Sequence, residues 1–92
     1  MAECRRYRVS GRVQGVGFRW WTRRLGIQLG LRGDVRNKSD GSVEALACGA
    51  LEDLRVFEER LRRGPPVSRV DLVEVEADTE GAPGPGFSIE GH

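Results

Sequence analysis

Val9-Ser10-Gly11-Arg12-Val13-Gln14-Gly15-Val16-Gly17-Phe18-Arg19 reads as the end of a strand, a glycine-rich turn and the start of a helix. Ahead of the turn, Tyr7, Val9 and Val13 alternate with Arg6, Arg8, Ser10 and Arg12, the period of a half-buried strand. Beyond it, Phe18, Trp21, Leu25 and Leu29 recur at helical spacing until Gly30, which predicts a helix over roughly 19–30. Gly11, Gly15 and Gly17 let the backbone bend tightly and gather several N–H groups, and Arg19 adds a fixed positive charge at the helix start. Such a turn is an anion cradle suited to phosphate. Its spacing fits neither G-x-G-x-x-G nor a loop closing on Gly-Lys-Ser/Thr. Glycines alone would favour a solvated turn; Gln14 to Arg19 on a strand-to-helix turn favours a site.

Working outward, Trp20 and Trp21 are adjacent, so a helix points them apart; Trp21 is the core candidate and Trp20 lies nearer the surface, both as packing residues rather than substrate platforms. Leu31 to Asn37 reads as a strand with Val35 inward between Asp34 and Arg36. Lys38-Ser39-Asp40-Gly41 is a hairpin turn into a strand from Ser42 to Cys48. Gly49 separates that strand from a second helix carrying Leu51, Leu54, Phe57, Glu58 and Leu61, stopped by Gly64-Pro65-Pro66. Arg69 to Asp78 alternates, with Val73, Val75 and Ala77 on one face and Glu74, Glu76 and Asp78 on the wet one. A Gly/Pro-rich loop over 79–86 then leads to a short edge strand at Phe87-Ser88-Ile89.

The predicted order, β-α-β-β-α-β plus a short final strand, is that of an α+β ferredoxin-like two-layer sandwich, an antiparallel sheet covered on one face by two helices. In that topology the first two strands flank the third and are parallel to each other. Asn37 therefore comes near the glycine turn, two strand spacings or roughly 10 Å away. Taken alone, an asparagine before a hairpin is a turn residue.

The 92 residues are read as one small domain over 1–92. No run approaches the ~20 apolar residues that span a bilayer, and no basic start with an apolar run opens the chain, so a cytoplasmic location is expected. Cys4 and Cys48 lie far apart without CxxC spacing and are expected to be buried or idle thiols. The net charge of +1 hides an asymmetry: residues 1–38 carry ten basic side chains against Glu3 and Asp34, and residues 39–92 five against twelve acidic ones. The basic half holds the cradle and would attract a small anion, although such runs are commonly solvated surface. Nucleic acid is disfavoured, because the third strand, Ser42 to Cys48, has no aromatic for base stacking.

With both stretches placed, the chain resembles the acylphosphatase family over nearly its whole length. Val9-x-Gly11-x-Val13-Gln14-Gly15-Val16-x-Phe18-Arg19 is similar to the family's first signature at every position, and Gly33-x-Val35-Arg36-Asn37-x-x-x-Gly41-x-Val43, continuing to Gly49, to the second except at Asp34, where an aromatic is usual. By alternation Asp34 points away from Asn37, so the departure touches local packing more than chemistry. The resemblance implies hydrolysis of acyl phosphates, with the loop amides of Gln14, Gly15, Val16, Gly17 and Phe18 and the guanidinium of Arg19 binding phosphate, and Asn37 orienting the attacking water. It implies no cofactor, no metal, a small acyl phosphate and inorganic phosphate as ligands, no nucleic acid, no membrane and a monomer. Acylphosphatase-like domains also occur in larger proteins that mature hydrogenases, so a carbamoyl-phosphate-handling or non-catalytic binding module is the alternative.

The residues agree with an undemanding reaction. The one histidine is terminal, and neither a metal cluster nor a Ser-His or Cys-His pair can be assembled. A phosphate monoester can require an acceleration of up to ~10²¹-fold. A carboxylate leaving group, with a pKa of about 4, needs no general acid.

Overall fold

A computed structural model of the chain describes residues 2–81 and 83–91; His92 lies outside them. The elements are β1 (Ala2–Arg12), α1 (Phe18–Gln28), β2 (Arg32–Asn37), β3 (Val43–Ala50), α2 (Leu51–Arg63), β4 (Arg69–Ala77) and β5 (Phe87–Glu90). They form one sheet in the order β4-β1-β3-β2-β5. The first four strands pair antiparallel, as expected for the ferredoxin-like sandwich, but β5 lies parallel to β2, so the sheet is mixed. The physical reason is the connection. β4 lies at one edge of the sheet and β5 at the other, four spacings or about 19 Å apart, so the two are not joined as a hairpin. Beyond β4, Gly81 lies against Leu46 on the helix-free face.

Both helices cover the other face, α1 over β2 and β5 and α2 over β4, β1 and β3. Tyr7, Val9, Val35, Val43, Ala45, Ala47, Val73 and Phe87 from the strands meet Phe18, Leu25, Leu54, Phe57 and Leu61 from the helices in one core. Tyr7 and Phe57 stack edge to face at 5.3 Å, and Phe57 lies 5.9 Å from Phe87. β5 is seated by a close approach: a Cβ on Gly26 of α1 would fall 2.4 Å from the Phe87 ring.

Three expectations change in detail. The helix expected over 19–30 ends at Gln28, with Gly30 at φ 70° accepting the left-handed bend, and Thr22 and Gly26 take buried positions while Trp21 and Leu29 only flank the core. Gly49 does not separate β3 from α2; it pairs with Glu3, and the strand runs directly into the helix at Leu51. On β4 the alternation is right but burial is thinner: Val73 is buried and Val75 is 37% exposed, because β4 is an edge strand with one neighbour.

A larger correction concerns the cysteines. Cys4 and Cys48 are not idle thiols but a disulfide, directly opposite each other on β1 and β3. Both face away from the helices, on the side where Arg6 pairs with Glu44 and Asp78, and Arg36 with Asp34. Asp34 is half-buried on that face, which pushes its carboxyl above the usual range by desolvation, while Val35 is fully buried on the helix side.

The β2–β3 turn is closed by side chains. Asp40 accepts hydrogen bonds from the Ser42 hydroxyl (2.6 Å) and amide (3.0 Å) and contacts Arg8, which together hold its carboxyl down to about 2. A depressed carboxylate stabilises the fold above its unfolded pKa near 3.9, and that contribution is lost as pH falls through 2. The expected result is an Asp40 titration midpoint near 2 by NMR, with the Ser42 amide resonance moving in step. A midpoint near 3.9 would show the turn to be open in solution.

Candidate active site

β1 and β2 both flank β3 antiparallel, and Val43 of β3 pairs with Val9 on one side and Asn37 on the other. The end of β2 therefore stands beside the turn that leaves β1. That turn is shaped by two glycines. At Gly11 a bulge in the β1–β4 pairing brings the backbone so close to Arg69 that a Cβ would overlap its carbonyl oxygen. Gly17, at φ 79° and ψ 16°, caps α1 in the left-handed conformation that L side chains avoid.

The start of α1 is open to an anion. It has no side-chain cap and no acidic residue in its first turn, whereas α2 carries Glu52 and Asp53 there. Unsatisfied N–H groups and the positive end of the helix dipole attract negative charge. Among the described residues the N–H groups of Gly15, Val16 and Gly17 make no backbone hydrogen bond within 3.5 Å. Arg19, half-buried, forms no ion pair among the described residues, although many other arginines do.

These groups converge on a pocket of about 110 Å³ lined by Val13, Gly15, Gly17, Phe18, Arg19, Trp20 and Asn37. Asn37 Oδ1 is buried and has no hydrogen-bond partner among the described residues. A buried acceptor without a donor costs about 1–3 kcal/mol unless something supplies one. A wider hollow of about 370 Å³ runs along Arg6, Glu76 and Asp78, but Arg6 and Asp78 neutralise each other there through two hydrogen bonds.

Of the residues expected at the site, Gly15, Gly17, Phe18, Arg19 and Asn37 line the pocket together. The Val16 side chain packs against the core. The Gln14 side chain turns to the hairpin, its Nε2 donating to the carbonyls of Lys38 (2.7 Å) and Ser42 (2.8 Å). That amide fastens the cradle to the strand end bearing Asn37, a link between two signatures that spacing could not show. Trp20, read from the sequence as a packing residue, stands at the mouth of the pocket and is 66% exposed.

A sequence model of the family described as Acylphosphatase matches residues 5–89. The chain belongs to the acylphosphatase family. Among the relatives of this acylphosphatase-family chain is an acylphosphatase of Koribacter versatilis, 52% identical over 89 residues, which cover 97% of this chain and 81% of the relative. The crystal structure of acylphosphatase from Bacillus subtilis superposes with a TM-score of 0.90 at 38% identity, covering 98% of this chain and 99% of that one. A full-length HypF in a phosphate- and nucleotide-bound form matches at 26% identity and a TM-score of 0.86, over 99% of this chain but 12% of that protein. Family membership makes the protein an acid-anhydride hydrolase acting on acyl phosphates. No described helix is long and apolar enough to cross a membrane.

Proposed function

We infer that the pocket cleaves carboxyl–phosphate anhydrides by direct attack of an oriented water, without a metal or a covalent enzyme intermediate. The observation that carries this reading is the partnerless Oδ1 of Asn37 in the wall of the pocket that also holds Arg19. Arg19 and the N–H groups of Gly15 to Phe18 hold the phosphoryl oxygens, and Asn37 accepts a hydrogen bond from the attacking water. The P–O bond to the acyl group breaks, the carboxylate leaves without protonation, and the proton shed by the water passes to the new phosphate. Charge spread over the phosphoryl oxygens in the transition state is met by donors already in place. The lining contains no carboxylate, histidine or thiol to serve as general base or nucleophile, and among the described residues no group of three or more His, Cys, Asp or Glu side chains comes together.

This reading takes the domain as a monomeric, cytoplasmic enzyme with small acyl phosphates and inorganic phosphate as its ligands and no nucleic-acid partner. Relatives matched over most of their own length favour it over the binding-module alternative.

Turnover of an aryl acyl phosphate, an aryl phosphate and an alkyl phosphate, each with and without a strong chelator, tests the mechanism. The acyl phosphate is expected to be hydrolysed equally well in chelator, and the alkyl ester, with its far more basic leaving group, not detectably. Activity abolished by chelator and restored by a divalent ion, or rapid cleavage of the alkyl ester, would overturn the mechanism. Binding of all three without turnover would establish the module reading.

A further inference from the structure

We propose that Trp20 is the platform for the acyl part of the substrate and biases the site towards flat, aromatic acyl phosphates, a proposal that rests on the hydrolytic reading above. The argument starts from room. The pocket holds about 110 Å³, against about 300–1,000 Å³ for sites that enclose a whole drug-sized ligand. A phosphoryl group and one attacking water fill it. The acyl group must then lie at the mouth.

Few side chains can meet it there. Val13 and Phe18 are each 1% exposed, and Gly15 and Gly17 have no side chain. Arg19 and Asn37 are committed to the phosphoryl group and the water. Trp20 remains, the only large exposed apolar side chain among the lining residues. The fold makes no use of its ring: the neighbouring Trp21 takes the inner place, 5.4 Å from Phe18. The ring is nonetheless held. Arg23, one turn along α1, lies 6.0 Å from its centroid and is itself fixed by donating from Nε to the Phe87 carbonyl at 3.1 Å. An indole backed by a cation and otherwise open offers an offset-stacking surface for a second planar group, such as an aroyl ring conjugated with its carbonyl.

The test compares benzoyl phosphate with acetyl phosphate, and their non-hydrolysable phosphonate analogues as inhibitors, in the parent, Trp20→Ala and Trp20→Phe proteins. The parent is expected to bind the benzoyl compounds more tightly. Trp20→Ala should raise KM and the inhibition constant for the benzoyl pair by about tenfold while moving those for the acetyl pair much less, and Trp20→Phe should restore most of the difference. The proposal is overturned if the benzoyl-to-acetyl ratio is the same in parent and Trp20→Ala, or if both pairs weaken equally. Failure of the hydrolytic reading would look different: neither phosphate would be turned over by the parent, while the phosphonate affinities would still report whether Trp20 discriminates.

Discussion

Arg19→Ala is expected to lower kcat/KM for an acyl phosphate by about 10³-fold or more and to weaken inorganic phosphate binding in parallel. The guanidinium is half-buried in a small pocket and unpaired among the described residues, so its charge is available to the phosphoryl group in both ground and transition states. Removing one such preorganised donor costs about 10²–10³ in rate, and loss of a full positive charge in the ground state adds a binding penalty. Asn37→Ala should fail in another way. Its Oδ1 is assigned to water, so kcat should fall by about 10²-fold while phosphate affinity stays within about threefold. Phosphate inhibition constants for the two variants decide the matter. Retained phosphate binding in Arg19→Ala together with lost binding in Asn37→Ala would reverse the two roles.

Reduction of the Cys4–Cys48 bond is expected to cost about 2–4 kcal/mol of stability without changing the fold. The two cysteines are 44 residues apart in sequence, and closing a loop of that size removes entropy worth about 4 kcal/mol from the unfolded chain in the chain-entropy model. In the folded state the bond adds little, because β1 and β3 are already paired along their length on both sides of it. A domain of this size loses about 4–8 °C in Tm per kcal/mol, so reductant should lower the midpoint by roughly 8–32 °C. Thermal unfolding with and without reductant measures this, alongside a thiol titration of the unfolded, unreduced protein that should find no free thiol. An unchanged midpoint, or two titratable thiols before reduction, would contradict the pairing. In a cytoplasmic setting a reducing pool acts against the bond, which makes its redox state there a property to measure directly.

The two helices, all five strands and their order along the chain were legible in the sequence, because each rests on a local signal: alternation in β1 and β2, helical spacing from Phe18 and from Leu51, Asp40-Gly41 between two strands. That Asn37 meets the glycine turn followed as well, since the topology sets β1 and β2 on either side of β3, antiparallel to it and parallel to each other. Local signals could not show which distant residues share a row. The disulfide was missed on CxxC spacing, yet the register that sets Val9 opposite Val43 also sets Cys4 opposite Cys48. The parallel seating of β5 depends on a crossing of the whole sheet and on the Gly26–Phe87 contact, neither of which leaves a periodicity. Likewise, Gln14 reads as one more loop amide until its Nε2 reaches the hairpin carbonyls, and Trp20 as a surface residue until the pocket is seen to be too small for the whole substrate. Periodicity and turn chemistry determine elements because they act over a few residues; register, pocket volume and unpaired donors and acceptors are properties of chain segments brought together from afar, and the tertiary structure alone decides them.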